Sequence, residues 1–137
     1  MAETSFAQFE PKKVNCFISK FGEPFKIPNY VIKEVSRPSF KMVNCGIKWD
    51  DMVFTMFDPI APSTSQAIME GLRELRKQDS QQIKINLKLL DPVGSSIEEW
   101  DIIGTIDYID FGYLDWNSRE NLNIKVAINV QYAILQY

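Results

Sequence analysis

The sequence predicts a mainly β protein, an antiparallel β-sandwich or barrel carrying one α-helix over about 63–78. Three observations carry this expectation. Several segments alternate apolar and polar residues with period two, clusters of Gly, Pro, Asp and Asn separate them, and one stretch has the 3.6-residue spacing of an amphipathic helix. The 137 residues suit one domain over 1–137, and a chain of this size buries about 68% of the surface its unfolded form exposes. Neither a metal nor a disulfide is needed to hold such a core.

Residues 1–12 read as an arm. Phe6 and Phe9 sit there without an apolar run around them, so the arm is expected to dock on a neighbour or on its own domain. The apolar stretch of a signal peptide is absent from it. Strands are expected over Val14–Lys20, Asn29–Glu34, Phe40–Cys45 and Ile47–Phe57, with turns at Gly22–Pro24, Arg37-Pro38 and Asp58-Pro59. The helix opens at Pro62-Ser63-Thr64-Ser65-Gln66, where Ser63 and Gln66 have capping-box spacing. Ile68, Leu72 and Leu75 form its apolar stripe, while Arg73, Arg76 and Lys77 complement the dipole at its C-terminal end. Gly71 in its middle costs about 1 kcal/mol relative to Ala unless something packs closely against it.

The second half is the more regular. Ile83, Ile85, Leu87 and Leu89 alternate with Gln82, Lys84, Asn86 and Lys88. After a turn at Asp91–Gly94, Trp100–Tyr108 reads as a strand with Trp100, Ile102, Ile106 and Tyr108 on one face and a bulge or bend at Gly104. Beyond Asn117-Ser118, the even positions Leu122–Ile134 are apolar, and the odd positions are Asn123, Lys125, Ala127, Asn129, Gln131 and Ala133. A strand of that length spans about 43 Å, well beyond the common ~6 residues. Its polar, nearly uncharged face must meet water. Strands that close across subunits into a ring satisfy this by enclosing a wet lumen and removing free edges. A monomeric sandwich or barrel fits the same periodicity.

Composition excludes much chemistry. There is no His, so Ser-His-Asp and Cys-His machinery and His-ligated metals are ruled out. Cys16 and Cys45 lack the spacing of a zinc site and read as two buried free thiols, with a disulfide as the alternative. Asp50-Asp51 and Glu98-Glu99 are adjacent carboxylates, which point to opposite faces of a strand and read as solvated charge rather than a catalytic pair. Asp107, Asp110 and Asp115 do not match a calcium loop. Ser63, Thr64 and Ser65 have no base partner and read as cap residues. No catalytic residue, metal or cofactor is assigned. Trp49, Trp100 and Trp116 are expected as core or interface anchors, with a glycan-stacking platform as the alternative. No segment has the length and apolarity of a membrane-spanning helix.

The net charge of −3 conceals an imbalance. Residues 1–90 carry 13 basic and 10 acidic side chains, whereas 91–137 carry 2 and 8. Without a basic run, tight phosphate-mediated nucleic-acid binding is not expected. Opposite signs on two surfaces suit subunits that stack, and an unevenly solvated surface also accounts for them.

The segment Tyr113-Leu114-Asp115-Trp116-Asn117-Ser118, followed by Arg119-Glu120-Asn121 and a strand running to Gln131-Tyr132, resembles the tail tube protein family of contractile-tailed bacteriophages. Phe9–Ile18 resembles that family's opening entry and first strand. Ile47-Lys48-Trp49-Asp50-Asp51 with the strand after it resembles its central D-D-W-type strand, and the helix follows in the expected place. The turn at Asp91–Ser96 is shorter than in the best-known members. The resemblance implies hexameric rings whose strands join across subunits, stacked into a hollow tube inside a contractile sheath. The type VI secretion tube is related in fold. It implies a phage-tail protein assembled in the host cytoplasm, with tail sheath, baseplate and terminator proteins as partners and DNA passing through the lumen without specific binding. A tube-initiating baseplate ring of the same fold and a β-sandwich glycan- or peptide-binding module are the alternatives. On the tube reading, Gln82, Lys84, Asn86, Lys88, Asn123, Lys125, Asn129 and Gln131 are the candidate lumen-facing residues. Phe6, Phe9, Tyr113 and Trp116 are the candidate inter-subunit contacts. Lys84, Lys88 and Lys125 conflict with a lumen that must release DNA, unless acids such as Glu98, Glu99, Asp101 and Asp107 share the wall.

Overall fold

A computed structural model describes residues 10–79 and 81–136, which form eight strands and one α-helix. The strands are β1 (Phe17–Phe21), β2 (Ile32–Glu34), β3 (Phe40–Val43), β4 (Gly46–Trp49), β5 (Met52–Phe57), β6 (Gln82–Leu90), β7 (Ser96–Asp110) and β8 (Asn123–Gln136). The helix α1 spans Thr64–Lys77, and a short 3-10 turn, Asn29–Val31, precedes β2. Six strands form one antiparallel sheet in the order β1-β6-β7-β8-β5-β2, curved into a nearly closed barrel. Strands β3 and β4 form a separate two-stranded hairpin. The predicted class, antiparallel β with one helix, is the observed one.

Alternation decides the core. On β6, Ile83, Ile85, Leu87 and Leu89 are buried, as are Ile124, Val126, Ile128 and Val130 on β8 and Met52, Phe54 and Met56 on β5. With Phe21, Phe25, Ile27, Val31, Ile68 and Leu75 they make one apolar cluster between the inner face of the sheet and the helix. Helix packing explains Gly71: a Cβ there would lie 2.3 Å from Cδ1 of Phe25, so the ring occupies the space a side chain would need. Capping differs from expectation. Ser63 Oγ accepts the Gln66 N–H at 3.3 Å, but Gln66 bonds forward to Glu70 and leaves the box half-formed. Asp58 takes over, its Oδ1 accepting the N–H groups of Thr64 and Ser65 at 3.0 and 3.3 Å and its Oδ2 the Ser65 hydroxyl at 2.6 Å.

Several expectations are corrected. The strand placed over Ile47–Phe57 is two strands. Asp50 ends the first by donating its N–H to the Ser39 carbonyl and accepting the Ser39 hydroxyl, a turn role that suits Asp better than a ladder position. The first strand begins at Phe17 rather than Val14, and Asn29–Val31 is helical rather than extended. The third ends at Val43, where Asn44 takes φ 53° in the hairpin turn. Tyr108 does not share a face with Trp100, Ile102 and Ile106. The register slips between Ile106 and Tyr108, so Ile109 turns to the core and Tyr108 away from it. A second slip between Ile103 and Gly104 skips Gln131, and Ala133 instead of Tyr132 then packs on the core. Cys16 and Cys45 are free thiols, but neither is buried: Cys16 is half-buried, and Cys45 is exposed in the hairpin turn.

Candidate assembly surfaces

The outer face of the sheet gathers the polar residues. Gln82, Lys84, Asn86 and Lys88 lie opposite Thr105, Ile103, Asp101 and Glu99 in register. On β8, Asn123, Lys125 and Asn129 point the same way. Gln131, in the bulge, accepts a hydrogen bond from Gln82 Nε2 at 2.8 Å. All eight residues therefore share one face, half-buried or exposed. Lysine does not dominate it. Glu99 sits opposite Lys88, Asp110 opposite Lys125, and Asn86 Nδ2 donates to Glu99 at 2.7 Å and Asp101 at 3.0 Å. Asp107 is exposed in the bulge. Acids thus lie beside Lys88 and Lys125 on this face, while Lys84 lies opposite Ile103.

Glu98 departs from its expected solvated position. Lying opposite Leu89, it turns inward and is only 6% exposed. Lys12 Nζ donates to Oε1, Trp100 Nε1 donates to Oε2 at 2.6 Å, and Arg37 Nη1 donates to both oxygens at 3.3 Å. Burial disfavours the charged form, but the hydrogen bonds from Lys12, Trp100 and Arg37 outweigh it and hold the pKa below the ordinary glutamate value. Nothing in the sequence separated Glu98 from Glu99 except strand parity.

Besides Val53, Tyr108, Tyr132 and Ile134 on the outer face of the sheet, the hairpin and the loop before β8 expose apolar surface. The hairpin presents Phe40, Met42, Val43 and Ile47, with Trp49 packed edge-on against Phe40 at 5.1 Å. Lys41 and Lys48 are its charged residues. The loop 111–122 presents Tyr113, Leu114 and Trp116, all strongly exposed, among Asp115, Arg119 and Glu120. Tyr113 and Trp116 were expected contacts and Leu114 was not; the 21–46 loops were expected to help stacking, but the apolar exposure of the hairpin was not legible, because Phe40–Cys45 reads as an ordinary strand. Phe6 and Phe9 lie outside the described residues. The loop and hairpin lie at opposite ends of β5. The loop leads into β8 beside the Phe57–Asn123 pair, whereas the hairpin precedes Met52, which pairs with Ile128. Five residues of strand separate Asn123 from Ile128, or about 17 Å. The three Trp have separate environments: Trp49 in the hairpin, Trp100 on Glu98, and Trp116 in the far loop.

Two sets of strand edges are also free. Pairing of β5 with β8 stops at Ile128, and pairing of β6 with β7 stops at Thr105. Among the described residues, 129–136 of β8 and 106–110 of β7 are therefore paired on one side only.

No protein-family model matches the sequence, and no curated protein matches it. Solved structures do. A chain of the anti-feeding prophage tube-terminating cap superposes with a TM-score of 0.71 at 15% identity, covering 99% of both chains. A chain of the PVC sheath–tube complex, an extracellular contractile injection system in its extended state, gives 0.68 at 14% identity over 99% of this chain and 98% of the other. A chain of the anti-feeding prophage baseplate gives 0.63 at 14% identity, covering 93% and 96%. These neighbours agree with the resemblance carried by residues 113–132. Over nearly its whole length, the chain has the fold of chains found in the tube, baseplate and cap structures of contractile injection systems.

Proposed function

We propose that this chain is a structural subunit of a contractile tail, forming hexameric rings that stack into a hollow tube within a sheath and serve as a conduit for ejected DNA. One observation carries the reading: two exposed apolar surfaces of opposite net charge, the β3–β4 hairpin with Lys41 and Lys48 and the loop 111–122 with Asp115, Arg119 and Glu120, lie at opposite ends of β5. A surface at one end that complements the other end makes a head-to-tail contact, which generates rings or stacks rather than closed dimers. The half-paired edges of β7 and β8 supply lateral contacts by strand pairing between neighbouring copies. The outer sheet face, with Gln82, Lys84, Asn86, Lys88, Asn123, Lys125, Asn129 and Gln131, then lines the lumen. Its acids beside Lys88 and Lys125 suit passage of DNA without binding. The role is mechanical, and no catalytic step is assigned.

A second reading is a ring at an end of the tube, favoured by the likeness to cap and baseplate chains. Negative-stain microscopy and light scattering of the purified chain distinguish the two. A main tube subunit grows into filaments of many rings, whereas an end ring stops at one or two. Trp116→Asp should leave the subunit folded and abolish stacking. A chain that stays monomeric at high concentration, alone and with its sheath and baseplate partners, would sink both readings.

A further inference from the structure

The two edge strands of the sheet, β1 and β2, do not pair with each other. The seam between them has an apolar floor of Phe17, Val35, Leu87 and Leu89, bordered by Lys12, Lys13 and Arg37. Lys12 lies five residues before β1, and Arg37 three residues after β2. Both bind one carboxylate, Glu98. Where a ladder of backbone hydrogen bonds would close a barrel, a single buried side chain ties the two edges together. Arg37 also lies just before Phe40, the first residue of the exposed hairpin, whose base is clamped by Ser39 and Asp50.

We propose that Glu98 is a positioning residue for assembly: through Arg37 it holds the β3–β4 hairpin, and through Lys12 the N-terminal segment, in the orientation that meets the next copy. This rests on the reading under Proposed function. The charged groups facing Glu98 are Lys12 from the N-terminal segment and Arg37 from the segment after β2, with Lys13 on the same seam. Glu34 and Asp51, with Lys33, line the adjoining groove that shares Val14, Phe17 and Val35 with this seam, and neither acid is hydrogen-bonded to Lys12 or Arg37. Adding a proton to Glu98 removes the charge that both cations bind, so acid frees both segments together. The backbone bond from the Asp50 N–H to the Ser39 carbonyl, which does not titrate, still closes the hairpin, which moves as a unit.

The chain carries its own reporters. Trp100 donates its indole N–H to Glu98, Trp49 lies in the hairpin, and Trp116 lies in the loop at the far end of β5. The test follows the three indole N–H signals of the ¹⁵N-labelled full chain by NMR, at a concentration that keeps it monomeric, from neutral pH to about pH 3. Trp100 and Trp49 should move with one shared midpoint below the ordinary glutamate pKa, while Trp116 stays still. In Glu98→Gln both should sit displaced at neutral pH and cease to titrate. In Arg37→Gln, Trp49 should be displaced while Trp100 still titrates. A Trp49 signal that ignores Glu98→Gln and Arg37→Gln overturns the proposal. If acid unfolds the chain or Glu98→Gln does not fold, Arg37→Gln at neutral pH decides the question. The concentration needed for assembly should rise about 10-fold or more in Glu98→Gln, as expected for loss of a charge-assisted tether. An unchanged concentration overturns the positioning role. If the wild type never assembles, the tube reading falls, and the coupling of Trp49 to Glu98 is still decided by the indole signals.

Discussion

Replacing Gly71 with Ala should destabilise this protein, although the same change in an exposed helix interior stabilises by about 1 kcal/mol. The new Cβ would lie 2.3, 2.7 and 2.9 Å from Cδ1, Cε1 and Cγ of Phe25. Carbon atoms rest about 3.5–4.0 Å apart, so the ring would have to retreat by more than ~1 Å. It has nowhere to go. Phe25 is 4% exposed and meets Phe21 edge-on at 6.2 Å, and Phe21 meets Phe54 at 5.0 Å. Overpacking of this kind costs about 1–3 kcal/mol. Setting the propensity gain of about 1 kcal/mol against it leaves a net loss of about 0–2 kcal/mol. Urea unfolding of Gly71→Ala, Phe25→Leu and the double variant separates the two contributions. In the Phe25→Leu background the alanine should become neutral or stabilising, giving a coupling energy of about 1–3 kcal/mol. A Gly71→Ala protein that is about 1 kcal/mol more stable than wild type would refute the reasoning, because it would mean that Phe25 does not fill the space above the helix.

Three further outcomes are expected. Asp58→Ala should cost about 1–2 kcal/mol in thermal or urea unfolding, because it strips acceptors from two helix N–H groups and the Ser65 hydroxyl; Asp58→Asn should recover part of that. Gly104→Ala should cost more than Gly71→Ala, since its Cβ would lie 2.5 Å from the backbone oxygen of Asn129, which the β7–β8 ladder holds in place; poor recovery of folded protein or a large fall in melting temperature checks this. The Glu98 carboxyl is held below its ordinary pKa, so the stability it contributes is full above the ordinary value and is lost as pH falls through the lowered one. Over that acidic window the wild type should lose stability by up to about 1.4 kcal/mol per pH unit from this group. Glu98→Gln should lack that contribution, and a curve parallel to wild type would count against it.

The strand pattern of this fold was legible because burial on one face of a sheet writes itself into the sequence every second residue. Ile83–Leu89 obeys that rule over its whole length, and Ile124–Val130 obeys it except at Ala127, which is buried on the face opposite its neighbours. The polar face followed from the same parity, so the eight candidate lumen residues fall on one side. What failed is local. At Ile106–Tyr108 and Ile103–Gly104 the ladder slips by a residue, and parity beyond the slip inverts. Gly104 signals one slip through its missing side chain; Asp107 leaves no such mark. The strand break at Asp50 was hidden because strand-forming residues, Ile47 and Trp49 before and Met52–Phe57 after, flank the Asp50-Asp51 pair. Glu98 was misread for a different reason. A carboxylate is buried only when donors converge on it, and Lys12, Arg37 and Trp100 come from three distant parts of the chain.

The points where alternation fails are also those where the molecule stops serving only its own core. The slip at Gly104 and Gln131 turns Tyr132 and Ile134 outward on the part of β8 that β5 no longer covers, leaving apolar side chains beside a free strand edge. The break at Asp50 releases β3 and β4 from the main sheet and lets them project as a hairpin with an uncovered apolar surface. Glu98, the one buried acidic side chain among the described residues, pairs with Arg37 just before that projection begins. A monomeric sandwich gains nothing from any of these departures, since each exposes apolar area or an unpaired edge that water solvates poorly. They make physical sense together if copies of the chain cover one another's edges and ends. That is why assembly accounts for this sequence better than a ligand site does.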